Sequence, residues 1–137
     1  LDNRNFLSEA LVLESLIKTK QHTLKKHRAR REYMSPDFVK DKVSSGNVNA
    51  VQEAQDEYLQ IEKEIETDIK FFKRRYAVIY KAIKAVENPW QRELLEMRYL
   101  QGMSMRQIAI AKNYSSRQLR RKLRSAEAAV KVPKNKG

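Results

Sequence analysis

Between Asn47 and Glu87 the chain carries neither glycine nor proline, and its apolar residues recur there at alternating intervals of three and four. That period belongs to one long helix with a single apolar seam, because a half-buried strand would alternate every second residue. The seam reads Val51, Ala54, Tyr58, Ile61, Ile65, Phe72, Tyr76, Ile79, Ile83 and Val86, broken where Asp68 takes an expected apolar position and Ile69 shifts the stripe by one. A second breaker-free run, from about Phe6 to about Tyr33, sets Phe6, Ala10, Leu13, Ile17 and Leu24 on one side before dissolving into the basic tract Lys25 to Arg31. Ser35-Pro36-Asp37 stops that helix, and Ser44-Ser45-Gly46-Asn47 marks a loop.

Two helices so joined are expected to fold back as an antiparallel, coiled-coil-like hairpin. The second helix is the longer, which leaves Phe71, Phe72, Tyr76, Ile79, Tyr80 and Ile83 either as a dimer surface or as the core of the junction with the C-terminal segment. An antiparallel arrangement also brings the Lys25–Arg31 tract against Glu53, Asp56, Glu57 and Glu62. Internal pairing is therefore expected for this tract, with a second phosphate contact as its alternative.

Asn88-Pro89 ends the long helix, and the charge balance changes there. Residues 1–87 hold 17 Lys+Arg and 14 Asp+Glu, a net of +3, whereas residues 88–137 hold 12 and 3, a net of +9; together they give the +12 of the chain. The C-terminal part is the anion-binding part. It carries two copies of the capping signal Ser-x-x-Gln, at Ser104/Gln107 and Ser115/Gln118, eleven residues apart. That spacing accommodates a short helix, a tight turn and a second helix.

In this last helix, Leu119, Leu123, Ala126 and Val130 share one side, while Arg117, Arg121 and Arg124 fall opposite and Arg120 lies on the flank. From Lys112 to Arg124 six residues are basic and none is acidic, which intrahelical salt bridges do not explain. The predicted DNA contacts are Arg106, Ser115, Ser116, Arg117, Gln118, Arg120, Arg121, Lys122 and Arg124. Arginine grips guanine bidentately, glutamine pairs with adenine, and the remaining cations suit phosphates.

The run Gln91 to Ser104, containing Leu100-Gln101-Gly102-Met103-Ser104 and followed by Gln107-Ile108-Ala109 and a Ser-capped helix, resembles region 4 of sigma-70-type factors. The resemblance covers about a third of the chain and implies a DNA-binding helix-turn-helix. The whole layout, with the Lys42-Val43-Ser44-Ser45-Gly46 loop, also resembles small phage and prophage regulators of the RinA and ArpU late-activator group. The expected architecture is thus all-α: residues 1–87 as a hairpin for oligomerisation or partner binding, 88–132 as a sigma-region-4-like helix-turn-helix, and 133–137 as a basic tail. The expected activity is sequence-specific transcription regulation by a homodimer on double-stranded DNA. The alternatives are a sigma-like factor whose helical half binds RNA polymerase, and a structural or packaging-associated phage protein with nonspecific DNA contact.

With no Cys, zinc-finger ligation and disulfides are excluded, and a bacterial cytoplasm is the expected setting. No membrane partner, cofactor or metal is expected. Glu62, Glu64, Glu66 and Asp68 do not converge on one helix face and read as solvated, and His22 and His27 are five apart with no ligand set beside them. No nucleophile elbow, phosphate loop or Cys-His pair is present, so an enzyme is not expected. Trp90, at a helix start, is expected to anchor the core rather than to stack on a base. A fragment from Glu87 to Gly137 is expected to retain salt-sensitive DNA binding.

Overall fold

The computed structural model describes residues 3–33 and 48–134; the Ser35-Pro36-Asp37 stop, the 42–46 loop and the last three residues of the basic tail lie outside the described residues. The protein is all-helical, with no strand among the described residues. Helix α1 runs over Arg4–Tyr33 and α2 over Val48–Lys84, 30 and 37 residues without a glycine or proline to interrupt them. They form the expected hairpin-like pair. Three shorter elements come next: α3 at Pro89–Leu95, continued by a π-helical turn at Glu96–Leu100, then α4 at Met105–Lys112 and α5 at Ser116–Ala128.

The chain divides into two compact units, Leu16–Phe72 and the combination of Leu1–Ser15 with Lys73–Gly137. The three short helices therefore belong to a unit that also contains one end of each long helix. Leu7, Ala10, Leu13, Ile79 and Ile83 are buried in that unit together with Leu94, Leu95, Tyr99 and Val130. A fragment beginning at Glu87 would lack the first five.

In the unit Leu16–Phe72, α1 and α2 run antiparallel and are joined by charge as well as by apolar contact. Lys20 meets Asp68 at 3.2 Å, Arg28 meets Glu66 at 3.4 Å, and Arg31 holds Glu62 through two hydrogen bonds of 2.7 and 3.3 Å. Leu24, Ile65 and Ile69 form the apolar cluster. Glu62 is only 4% exposed, and Ile61, expected in the seam, is 38% exposed. The observed seam is thus Glu62, Ile65, Ile69, Phe72, Tyr76, Ile79, Ile83 and Val86, spaced by threes and fours without a break. The expected discontinuity at Asp68 vanishes once Glu62 replaces Ile61.

A lone buried carboxylate would cost on the order of several kcal/mol, so Glu62 can occupy the seam only because Arg31 and Arg28 converge on it. The same carboxylate raises the Arg31 guanidinium above its ordinary range, first by accepting its hydrogen bond and then by charge. Glu62, Glu66 and Asp68 accordingly serve the hairpin, not a free solvated face. The internal pairing expected of the Lys25–Arg31 tract is present for Arg28 and Arg31.

Candidate nucleic-acid interface

In the unit that contains α3 to α5, each short helix begins with a side-chain cap. The Asn88 carboxamide oxygen accepts from the backbone N–H groups of Trp90 and Gln91, at 3.1 and 3.4 Å, and Pro89 supplies a first-turn residue with no N–H to satisfy. After the π-helical turn, Met103 donates to the Met97 carbonyl at 3.0 Å around Gly102, whose φ of 71° is the left-handed conformation that glycine adopts without strain. Ser104 then opens α4 with a reciprocal box: its hydroxyl accepts from the Gln107 N–H, and the Gln107 side chain accepts from the Ser104 N–H. Asn113, at φ 58°, ends α4 in the left-handed region, which asparagine tolerates better than most residues. Ser115 and Gln118 repeat the box at the start of α5. Both capping signals read from the sequence are present.

Leu94, Ile108, Leu119 and Leu123 form a buried cluster joining α3, α4 and α5, with Met97, Met103, Met105, Ala109 and Tyr114 packed against it. Ala126 and Val130 are buried further along. The opposite face of α5 is bare: Arg117, Arg120, Arg121 and Arg124 are exposed, and none of them has an ion pair among the described residues. On α4, Arg106 is exposed in the same way. A groove of about 830 Å³ between α4 and α5 is lined by Arg106, Ala109, Ile110, Ser116, Leu119 and Arg120.

Three of the predicted contact residues have a second task. The Gln118 carboxamide oxygen, which adenine N6 would donate to, already accepts the Ser115 N–H at 3.0 Å, so a base contact would share that oxygen. Ser115 supplies the matching half of the cap. Lys122 is half-buried, its Nζ 4.9 Å from the Trp90 ring centroid and 5.3 Å from that of Tyr114. Trp90 is 38% exposed and so does not anchor the core; it covers the flank of α5. Gln91 Nε2 donates to Ser125 Oγ at 3.2 Å beside it. Lys112, counted among the basic residues of this stretch, is paired with Glu93.

The far end of α5 holds a group that no sequence motif announces. Glu127 is 5% exposed, accepts a hydrogen bond from the Tyr99 hydroxyl, and meets Arg4 Nε at 3.1 Å. Asn3 Nδ2 donates to the backbone carbonyls of Glu127 and Val130, at 2.9 and 2.8 Å, satisfying acceptors that a helix end leaves open. Burial and the adjoining carboxylate hold the Tyr99 phenol above its ordinary range. Glu127 is the sole acidic residue after Glu96, and an isolated acid beside an apolar stripe is the one signal that could have revealed it.

These elements define a small all-helical protein in which a helix pair accompanies two capped helices joined by a tight turn. The chain belongs to the DUF1492 family, described as a protein of unknown function, whose match spans residues 32–131. No curated protein and no solved structure matches it.

Proposed function

We propose that this protein is a sequence-specific regulator of transcription that binds double-stranded DNA through α5, as a homodimer, and that it is of phage or prophage origin. The observation that carries the reading is the set Arg117, Arg120, Arg121 and Arg124: exposed, without acidic partners among the described residues, on a helix whose other side is fixed by Leu119 and Leu123. A rigid helix that presents guanidinium groups at one face, with three of them in its first two turns, matches how recognition helices meet base edges and phosphates in the major groove. The resemblance of residues 91–118 to region 4 of sigma-70-type factors, and of the layout to RinA- and ArpU-like activators, supports the same assignment. The role is one of binding, not catalysis.

One module offers a small interface, and paired copies on DNA would raise its affinity by avidity. A protein partner is proposed for the long helices, where Phe71 is 57% exposed. A second copy is the proposed partner, and RNA polymerase is the alternative. Selection of bound duplexes from a random pool should enrich one motif, and sedimentation of the protein alone should show a dimer. A pool that emerges without sequence bias would reduce the protein to a nonspecific DNA binder. A strictly monomeric chain that still enriches a motif would move the partner role to polymerase.

A further inference from the structure

From Ile69 to its end at Lys84, α2 contains no acidic residue. In the unit that carries the helix-turn-helix, Lys73, Arg74 and Lys81 are exposed on this helix. At about 100° per residue they fall within a third of the helix circumference, on the side away from Ile79, Ile83 and Val86. Positions three and four residues to either side of each hold only basic, aromatic or aliphatic side chains, so no intrahelical carboxylate is available.

Four of the unit's carboxylates are also committed elsewhere. Glu9 holds Arg75, Glu93 holds Lys112, Glu96 holds Lys84 and Glu127 holds Arg4. Arg75 and Lys84, the two other cations of this stretch of α2, are therefore neutralised while Lys73, Arg74 and Lys81 have no ion pair among the described residues. A solvated helix face ordinarily mixes both signs, and this one does not.

Resting on the DNA-binding reading of α5, we infer that Lys73, Arg74 and Lys81 form a second phosphate-binding surface, which engages the backbone of the same duplex without reading its sequence. Flexible lysines and an arginine with no hydrogen bond among the described residues to orient them suit phosphate oxygens, not base edges. Each protomer would then neutralise more phosphates than its recognition helix reaches.

The test compares three full-length proteins on a duplex carrying the selected motif: the unaltered chain, Lys73→Gln/Arg74→Gln/Lys81→Gln, and Lys25→Gln/Lys26→Gln/Arg30→Gln. The last removes equal charge from exposed positions of α1 in the other unit. Each phosphate contact contributes about 0.9 to the slope of log affinity against log salt. The α2 variant should lower that slope by about two to three while keeping the enriched motif and the melting temperature, and the α1 variant should lower it by less than about one. Equal slopes for the unaltered and α2 proteins overturn the inference, as do equal losses in both variants, which would signal a diffuse effect of net charge. Binding to phosphatidylserine vesicles that the α2 variant alone loses, with its DNA slope unchanged, would assign the face to membranes and overturn it too. The proposed function fails separately, through the absence of any enriched motif with the unaltered chain.

Discussion

Two basic tracts of similar density occupy this chain, Lys25 to Arg31 on α1 and Arg117 to Arg124 on α5, and they differ in how their arginines are partnered. Arg28 and Arg31 are consumed by Glu62 and Glu66 on the neighbouring helix, whereas Arg117, Arg120, Arg121 and Arg124 meet no acid among the described residues. Density of positive charge is therefore a poor guide to a polyanion surface. The presence or absence of carboxylates on the element packed alongside decides it, and that depends on tertiary structure.

The largest effect expected from breaking this contrast comes from the support of the bare face. Leu119 is 1% exposed directly behind Arg117 and Arg121, so Leu119→Ala should destabilise its unit by about 2 to 5 kcal/mol. Chemical denaturation checks this, and an unchanged midpoint would mean that the facing of α5 is misassigned. A paired substitution then sharpens the comparison. Arg117→Ala should cost about 1 to 3 kcal/mol of binding to the preferred duplex and leave melting unaltered. Arg31→Ala should do the reverse, lowering the melting temperature by exposing the Glu62 carboxylate to incomplete pairing while leaving affinity and salt slope in place. Identical binding losses in both would erase the distinction between the tracts.

The smallest effect concerns Glu127, the buried acid at the end of α5. Tyr99→Phe should cost about 1.5 kcal/mol near neutral pH, the lower end for a hydrogen bond to a charged group such as the Glu127 carboxylate. The pH dependence has a definite sign, because the folded state raises the phenol above its unfolded value near 10. Its contribution is complete below about pH 10 and is lost as pH rises through the higher folded value, since the unfolded chain ionises first. The variant should consequently lose less stability than the unaltered protein between neutral and strongly alkaline pH. Tyr76, also raised by burial, leaves a residual slope in both.

Much of the fold was legible because local rules governed it. Asn88-Pro89, both Ser-x-x-Gln boxes and the opposed faces of α5 are fixed within a few residues of sequence, and all are present as read. The errors cluster where a polar residue is buried against a distant partner. Hydropathy places Ile61 in the seam, but Arg28 and Arg31, some thirty positions away, make the seam position habitable for Glu62. Size alone puts Trp90 in the core, yet Lys122 and Tyr114 provide it with a half-exposed place at the flank of α5. Glu127 is hard to see for the converse reason: its partners, Arg4 and Tyr99, come from two other elements.

The Asn3 clamp on the carbonyls of Glu127 and Val130 spans 124 and 127 positions of chain. Closing so wide a loop is entropically costly, and its cost must be met before the contact returns anything. The final turn of α5 is thus expected to be completed late in folding, after the segments between have organised. Its beginning, capped by Ser115 and Gln118 from within, needs no such meeting. The same helix therefore has an early-forming end, where bases would be read, and a late-forming end tethered to the first turn of α1; a change at Asn3 would act on the lifetime of the assembled unit and leave the reading end chemically intact.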